Sequence, residues 1–181
     1  MNQTESLQIL SKEIQQCQRC ERWLTRNHAV PGEGDIDAKI MLFGEAPGKN
    51  EDQTGRPFIG RAGRYLDKVL SEYKINRKKV YITSILKCYH PKSPKKLQMV
   101  SCRPWSEQQI EVIQPNIILV MGKSAAWGLF KIEHLGTQII DLKWRAIPCI
   151  VTCHPAAAMR FPQRNLQFRR DFERLIQKVS I

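Results

Sequence analysis

The sequence predicts an α/β fold built on a mainly parallel sheet of four strands. Two observations lead to this prediction: four short apolar runs have the composition of buried strands, and amphipathic helical segments separate them along the chain. Strands that alternate with helices are typical of parallel sheets whose faces are covered by those helices. Because the chain has 181 residues and no evident internal repeat, we expect one domain over residues 1–181.

The four predicted strands are marked by β-branched and apolar residues that few polar side chains interrupt. They read AKIMLF, VYITSIL, NIILVMG and AIPCIVTC. In chain order they cover residues 38–43, 80–86, 116–122 and 146–153.

The predicted helices are recognised by apolar residues that recur every three or four positions and so share one face. Two shorter helices are expected over residues 108–114, ending before Pro115, and over residues 123–130. The apolar faces of the longer ones comprise Leu7, Leu10, Ile14 and Cys17; Leu66, Val69, Leu70 and Tyr73; and Phe168, Phe172, Leu175, Ile176 and Val179.

The charge of the chain favours a polyanionic partner. It carries 29 basic and 17 acidic residues, which gives a net charge of +12. Such a surplus is typical of proteins that bind nucleic acid, although a well-solvated basic surface is the alternative. No apolar run approaches the roughly 20 residues of a membrane-spanning helix. Because the N-terminus is polar and amphipathic, we expect no secretory signal. We therefore expect a cytoplasmic, nucleoid-associated protein with no membrane partner.

Three segments are expected to meet in space. The carboxyl ends of parallel strands lie at one edge of a sheet, where ligands bind in folds of this class. The glycine-rich segment 44–63, the segment after Leu86 and the segment after Thr152 all follow predicted strands. A phosphate-binding P-loop is excluded here, because only three residues separate Gly44 from Gly48 and Asn50 follows Lys49.

The chain has six cysteines, and in an intracellular protein these are metal ligands or buried thiols more often than disulfides. Cys17 and Cys20 form a C-x-x-C pair that can bind one metal centre, but alone such a pair is a weak signal. Cys149 and Cys153 lie in or beside an apolar strand and are expected to be structural thiols.

Together these segments resemble the family 4 uracil-DNA glycosylases, the iron–sulfur branch of that superfamily. The matching motifs are CQRC, VPGEG, GEAPGKNEDQTGRPFIGRAG, YITSILKC with Cys102 downstream, and HPAAAMR. The resemblance implies a single-domain three-layer α/β/α sandwich. It also implies a 4Fe-4S cluster bound by Cys17, Cys20, Cys88 and Cys102.

The implied activity is that of a monomeric DNA-repair enzyme. It would flip uracil out of single- or double-stranded DNA, hydrolyse the bond between base and sugar, and leave an abasic site. A monofunctional route is expected, because no lysine is indicated in the pocket as the nucleophile of a lyase. A sliding clamp is not identifiable as a partner from these residues.

The resemblance also implies roles for residues of the glycine-rich segment. Gly44, Ala46 and Gly48 would form a tight turn against the flipped base, and Glu45 would belong to the catalytic motif. Phe58 would stack on the uracil ring, and Glu51 would lie where the methyl group of thymine is excluded. The alternatives are a solvated helix start for Glu51 and an ordinary core position for Phe58.

His154 is the implied catalytic donor to O2 of the departing uracil, with packing against Pro155 as the alternative. The loop that follows would enter the minor groove, with Met159 and its neighbour Ala158 as the apolar wedge. Arg160 and Arg164 would contact phosphates.

Ser84 departs from the family pattern, which usually has an asparagine at this position. An asparagine amide can both accept from N3–H and donate to O4 of uracil, whereas a serine hydroxyl donates a single hydrogen. A water or another side chain fills the gap, or the base specificity differs. The alternative function is therefore a DNA-binding iron–sulfur protein with weak activity, or an enzyme for another base such as hypoxanthine or xanthine.

Overall fold

The computed structural model describes residues 2–132 and 142–179, and its centre is one twisted sheet. Within these residues the sheet has six strands in the order β1-β3-β2-β4-β6-β5. The four central strands are parallel, and the two edge strands pair antiparallel with their neighbours. The strands are β1 (Glu33–Gly34), β2 (Ile40–Gly44), β3 (Tyr81–Ser84), β4 (Ile117–Met121), β5 (Leu142–Trp144) and β6 (Ile147–Thr152).

These strands confirm the α/β class and the parallel centre of the sheet, and they correct the predicted strand number. The four predicted strands are β2, β3, β4 and β6. The edge strands β1 and β5 contain two and three residues. Neither is long enough to show the alternation of apolar and polar residues that identifies a strand.

Seven α-helices accompany the sheet in the described residues. They are α1 (Gln3–Gln16), α2 (Lys49–Thr54), α3 (Arg61–Glu72), α4 (Lys96–Ile113), α5 (Lys123–Phe130), α6 (Pro155–Arg160) and α7 (Pro162–Val179).

Two helices differ from the prediction. Helix α4 begins at Lys96 and continues through Pro104, so it extends well beyond the predicted residues 108–114. The expected loop after His154 is instead helix α6, in which His154 is the N-cap and Pro155 occupies the first turn. Proline is favoured at that position because its missing N–H has no partner in the helix anyway.

The helices cover both faces of the sheet and create two apolar layers. Met41 and Phe43 of β2 belong to the core that includes Leu10, Ile14 and Ile110. On the opposite face, Leu42 packs in a second core, whose helical members include Leu66, Leu70, Phe168 and Phe172. This separation follows from the alternation of side chains along a strand, and it produces a three-layer α/β/α sandwich.

The parallel centre fixes where a site can form. Strands β2, β3 and β6 end at Gly44, Ser84 and Thr152, at the same edge of the sheet. The chain then continues from this edge into the segments that carry most of the predicted site residues. None of the described helices combines the length and hydropathy that a membrane crossing requires.

Candidate active site

A pocket of about 330 Å³ opens at the carboxyl edge of the sheet, and we call it the main pocket. It is formed by the turn and helix after β2, the segment before α3, the end of β3 and the segment after β6. Its lining consists of Val30, Ala46, Pro47, Gly48, Lys49, Asn50, Glu51, Pro57, Phe58, Gly60, Arg61, Ala62, Ser84 and His154.

The main pocket collects six of the eight residues that the sequence assigned to the base or to catalysis. These are Ala46, Gly48, Glu51, Phe58, Ser84 and His154. Gly44 lies behind the wall of this pocket, and Glu45 lines a neighbouring cleft. Five further lining residues were not predicted from the sequence: Val30, Pro47, Lys49, Asn50 and Arg61. Lys49, Asn50 and Arg61 lie inside the glycine-rich motif, and their proximity to Glu51 and Gly60 was the available signal.

Phe58 is held in an unusual backbone conformation that two glycines permit. Its φ is +52°, a region that bulky residues rarely adopt, and its side chain is buried. A Cβ at Gly44 would overlap the Phe58 ring, and one at Gly63 would overlap its carbonyl group. Arg77 donates hydrogen bonds to the carbonyl oxygens of Pro57 at 2.8 Å and Phe58 at 3.3 Å. The segment that carries Phe58 is therefore held by Arg77 and packed closely against Gly44 and Gly63, and the Phe58 side chain lines the pocket.

His154 presents a defined tautomer to the main pocket. As the N-cap of α6, it accepts a hydrogen bond at Nδ1 from the backbone N–H of Ala156, at 3.2 Å. In the neutral ring the proton is consequently on Nε2, which is free to donate. Burial lowers the pKa of His154 below its ordinary value, and the charge of Glu45 opposes this effect. The ring is thus prepared as a neutral donor, 6.1 Å from the Phe58 ring between centroids.

Glu51 lies in the first turn of α2, but it is buried and lines the main pocket. The alternative of a solvated helix start is therefore wrong for this residue. Its Oε1 accepts hydrogen bonds from the backbone N–H groups of Ile59 at 2.8 Å and Gly60 at 2.7 Å. The carboxylate therefore ties α2 to the start of α3 and sets the position of the segment that carries Phe58.

A second opening of about 320 Å³ lies beside the main pocket, and we call it the side cleft. Ala46, Pro47 and His154 line both openings, so the two are neighbours on either side of these residues. The rest of the side cleft consists of Arg22, Glu45, His90, Pro91, Lys92, Ser93 and Pro94.

Ser84 lies at the end of β3, where a buried lysine holds its backbone. The Lys87 ammonium donates hydrogen bonds to the Ser84 carbonyl at 2.6 Å, to Thr83 Oγ1 at 2.8 Å and to Gln109 Oε1 at 2.7 Å. Burial lowers the pKa of Lys87 to about 7, an effect opposed by Cys102 and Cys88. Lys87 also lines the cavity that contains Cys88 and Cys102. It therefore lies between the end of β3 and that cavity.

The four cysteines singled out by the sequence line one cavity together with Lys87, Trp23 and Trp105. Two N–H donors point at their sulfur atoms: Trp105 Nε1 lies 3.2 Å from Cys17 Sγ, and Arg26 Nη1 lies 2.9 Å from Cys88 Sγ. In residues 2–132 and 142–179, no three His, Cys, Asp or Glu side chains are already placed to hold a metal ion.

The predicted DNA-contacting residues of α6 and its surroundings differ in exposure. Met159 is 36% exposed, and Arg160 and Arg164 are exposed. Ala158 is 1% exposed and packs into the core, so its side chain is withdrawn from the surface in this conformation. The exposed Phe161 at the end of α6 is a further apolar residue beside Met159 that the sequence analysis did not select.

Comparison with known proteins relates the chain to one superfamily. The family model described as the Uracil DNA glycosylase superfamily matches residues 31–179. A type-4 uracil-DNA glycosylase of Thermotoga maritima is 40% identical, over 97% of this chain and 94% of that protein. Proteins of the same name from Saccharolobus solfataricus and Archaeoglobus fulgidus are 35% and 34% identical, over 97% and 94% of this chain. The alignments cover 88% and 92% of those two relatives.

Proposed function

This chain belongs to the uracil DNA glycosylase superfamily, and we propose that it removes uracil from DNA by hydrolysing the bond between base and deoxyribose. The main pocket is the observation on which this proposal depends, because it joins an aromatic ring, a histidine donor and a short polar side chain in one space. The product would be DNA with an abasic site. A base can enter such a pocket only after it leaves the helical stack, at a cost of a few kcal/mol.

The side chains of the pocket suit the charges that this reaction develops. As the bond breaks, negative charge accumulates on uracil, largely at O2, and positive charge accumulates on the sugar. His154 would donate from Nε2 to O2, and this donation strengthens as the charge grows. Phe58 would stack on the ring, and Glu51 would lie against its C5 edge. Glu45, in the side cleft, would orient the attacking water.

The absence of a lysine from the pocket was expected, and this expectation is wrong, because Lys49 lines it. Lys49 is an exposed residue in the first turn of α2. The monofunctional route is still the one we propose, since His154, Glu45 and a water molecule suffice for hydrolysis. Borohydride trapping tests it: a lyase would become covalently attached to the DNA through the lysine, and this enzyme should not.

The proposed function is tested with oligonucleotides that each contain one damaged base. The protein is incubated with DNA holding uracil, hypoxanthine or xanthine, and alkali then cleaves any abasic site. Release of uracil well above that of the other two bases is the expected result. Preference for a purine, or binding without release, would replace this function with one of the two alternatives that Ser84 raises.

Gly44→Ala should lower the single-turnover rate of uracil release roughly 10- to 100-fold, because small displacements of a substrate contact have effects of this size. The new Cβ would overlap the Phe58 ring and push it out of its stacking position. The same substitution in a Phe58→Ala background should cost little more than Phe58→Ala alone. An equal additional loss in that background would show that Gly44 acts by another route.

Ser84→Asn should raise the rate of uracil release by roughly threefold to tenfold, as one added hydrogen bond contributes about 0.5–1.5 kcal/mol. Ser84 is 4% exposed within the pocket, and its Oγ lies 3.2 Å from where a Cβ would stand at Gly44. Hypoxanthine release should stay unchanged or fall. A slower uracil reaction, with loss of a robust wild-type activity on a purine, would contradict the assignment of uracil.

We also propose that Cys17, Cys20, Cys88 and Cys102 hold a 4Fe-4S cluster. The donor set fits this group, because four thiols line one cavity and N–H groups of Trp105 and Arg26 point at two of the sulfurs. When bound, the cluster would crosslink the segment after α1, the segment after β3 and helix α4. The protein would act as a monomer in the cytoplasm, with Met159, Arg160 and Arg164 contacting DNA.

A further inference from the structure

The side cleft is not needed for the proposed binding of the base, yet it shares a wall with the main pocket. Ala46, Pro47 and His154 separate the two openings, and each measures more than 300 Å³. A nucleotide extruded from DNA remains joined to its neighbours through two phosphodiester groups. If its base fills the main pocket, its sugar lies near His154, and one of these phosphates lies within reach of the side cleft.

The far wall of the side cleft carries positive charge and free hydrogen-bond donors. The Lys92 side chain is exposed, and it forms no ion pair or hydrogen bond with any residue in the described part of the chain. His90 accepts from the backbone N–H of Lys92 at Nδ1, at 3.1 Å, so Nε2 carries the proton of the neutral ring and is available to donate. Glu45 is the single acidic residue of the lining, and its charge acts on both His154 and Arg22.

A buried arginine holds this wall in place. Arg22 is 1% exposed, and its guanidinium donates to the carbonyl oxygens of Cys88 at 3.1 Å and Lys92 at 3.2 Å. It also donates to Gln98 Oε1 at 2.9 Å, and this oxygen accepts from the backbone N–H of Lys95. The loop of residues 88–95 is therefore anchored at its beginning, middle and end. Pro91 and Pro94 stiffen it further.

A loop fixed before binding loses little conformational entropy when it meets a ligand. The donors that it presents are suited to a phosphate oxygen, since charge-assisted bonds from lysine to phosphate are short and strong. The same wall offers no apolar side chain other than its prolines that could stack on a second base.

We infer that the side cleft binds a phosphodiester group next to the extruded nucleotide, and that Lys92 and His90 are its contacts. Arg22 is a positioning residue, which acts through the loop that it anchors. This inference rests on the proposed placement of uracil in the main pocket. It adds a contact to the DNA backbone on one side of His154. The predicted DNA contacts Met159, Arg160 and Arg164 lie on the other side, on α6 and at the start of α7.

The test couples a change in the protein to a change in the DNA. A single neutral methylphosphonate replaces the phosphate either 5′ or 3′ of the uridine, and the half-saturating DNA concentration is measured under single-turnover conditions. With wild-type protein, one of the two positions should raise this concentration roughly tenfold, as expected for loss of a charged hydrogen bond. Lys92→Gln should cause a similar rise on ordinary DNA and no further rise on the DNA modified at that position.

Two variants complete the experiment. His90→Ala should show the same coupling with a smaller effect, of roughly threefold to fivefold. Lys143→Gln is the matched control, because Lys143 is an exposed cation on β5 that pairs with Pro148, at the opposite end of β6 from His154. It should leave both DNAs unaffected.

If Lys92→Gln and the methylphosphonate each raise the half-saturating DNA concentration and their effects multiply, the inference is overturned. An unchanged half-saturating concentration in Lys92→Gln on ordinary DNA would also overturn it. Wild-type protein that released no uracil from unmodified DNA would instead refute the proposed function. The two failures are therefore distinguishable in one set of assays.

Discussion

Replacing His154 with alanine is expected to slow uracil release roughly 100- to 1,000-fold under single-turnover conditions. Removing one preorganised donor to a developing oxyanion typically costs about 3–4 kcal/mol in the barrier. The structure supplies the donor: Nδ1 of His154 accepts from the N–H of Ala156, so Nε2 carries the proton of the neutral ring, and the side chain lines the main pocket. DNA affinity should change little, because the bond strengthens mainly in the transition state.

His28→Ala is the matched control, since this imidazole lines neither of the two openings and contacts the backbone of Asp52. It should release uracil at the wild-type rate. An unchanged rate in His154→Ala would remove His154 from the mechanism. A parallel loss of DNA affinity would indicate a binding role instead of a catalytic one.

The same residue predicts a pH dependence. Burial lowers the pKa of His154 below its ordinary value, so the ring is neutral at neutral pH and becomes protonated only in acidic solution. The neutral form is the one whose Nδ1 accepts from Ala156. The wild-type rate should therefore stay level from pH 8 to about pH 6.5 and decline at lower pH. His154→Ala should lack this decline in its measured pH–rate profile.

Much of this site could be predicted because parallel strands end together. Once strands β2, β3 and β6 were recognised from their apolar composition, the residues after them had to meet at one edge. Ser84 and His154, which are far apart in sequence, line one pocket for this reason. The family motif then indicated which residues of the glycine-rich segment belong beside them.

Features that depend on distant partners could not be predicted. Lys87 and Arg22 are both 1% exposed, although charged residues are expected at the surface. Their partners, Gln109 and Gln98, lie on α4, and no local pattern links either pair. The separation of Glu45 from the main pocket likewise depends on how the turn after β2 faces the loop that contains Lys92.

Helix α6 was missed for a different reason. Its six residues are too few to display a helical period, and the surrounding prolines favour a loop interpretation. The His154 side chain caps the helix by accepting from Ala156, so the catalytic donor and the helix start are one structural feature. The burial of Ala158 follows from this helix, which turns that residue towards the core.

The double substitution Cys17→Ser, Cys20→Ser is expected to lower the apparent Tm by about 10 °C or more, since the binding free energy of a structural metal centre is also folding free energy. Both cysteines lie between α1 and the segment that carries Arg22. Loss of the centre should release Arg22 from its carbonyl partners and, with it, the loop of the side cleft. Tm should be measured together with iron content and visible absorption.

Cys149→Ser is the matched control. Cys149 is buried in β6 away from the cysteine cavity, and its thiol contacts the carbonyl of Ile147 at 3.4 Å, a contact that a serine hydroxyl can also make. This variant should keep its colour and lose much less stability than the double variant.

The ionisation of the cysteines gives the experiment a second measure. Burial raises the pKa of Cys102 to about 12, and it also raises the pKa of Cys88, so without metal both thiols are protonated at neutral pH. Because a cluster requires thiolates, its assembly should release protons and should become weaker as the pH falls.

The purified wild-type protein should be brown, with about four irons per chain. A colourless protein with stoichiometric zinc, or a double variant as stable as Cys149→Ser, would contradict the cluster assignment.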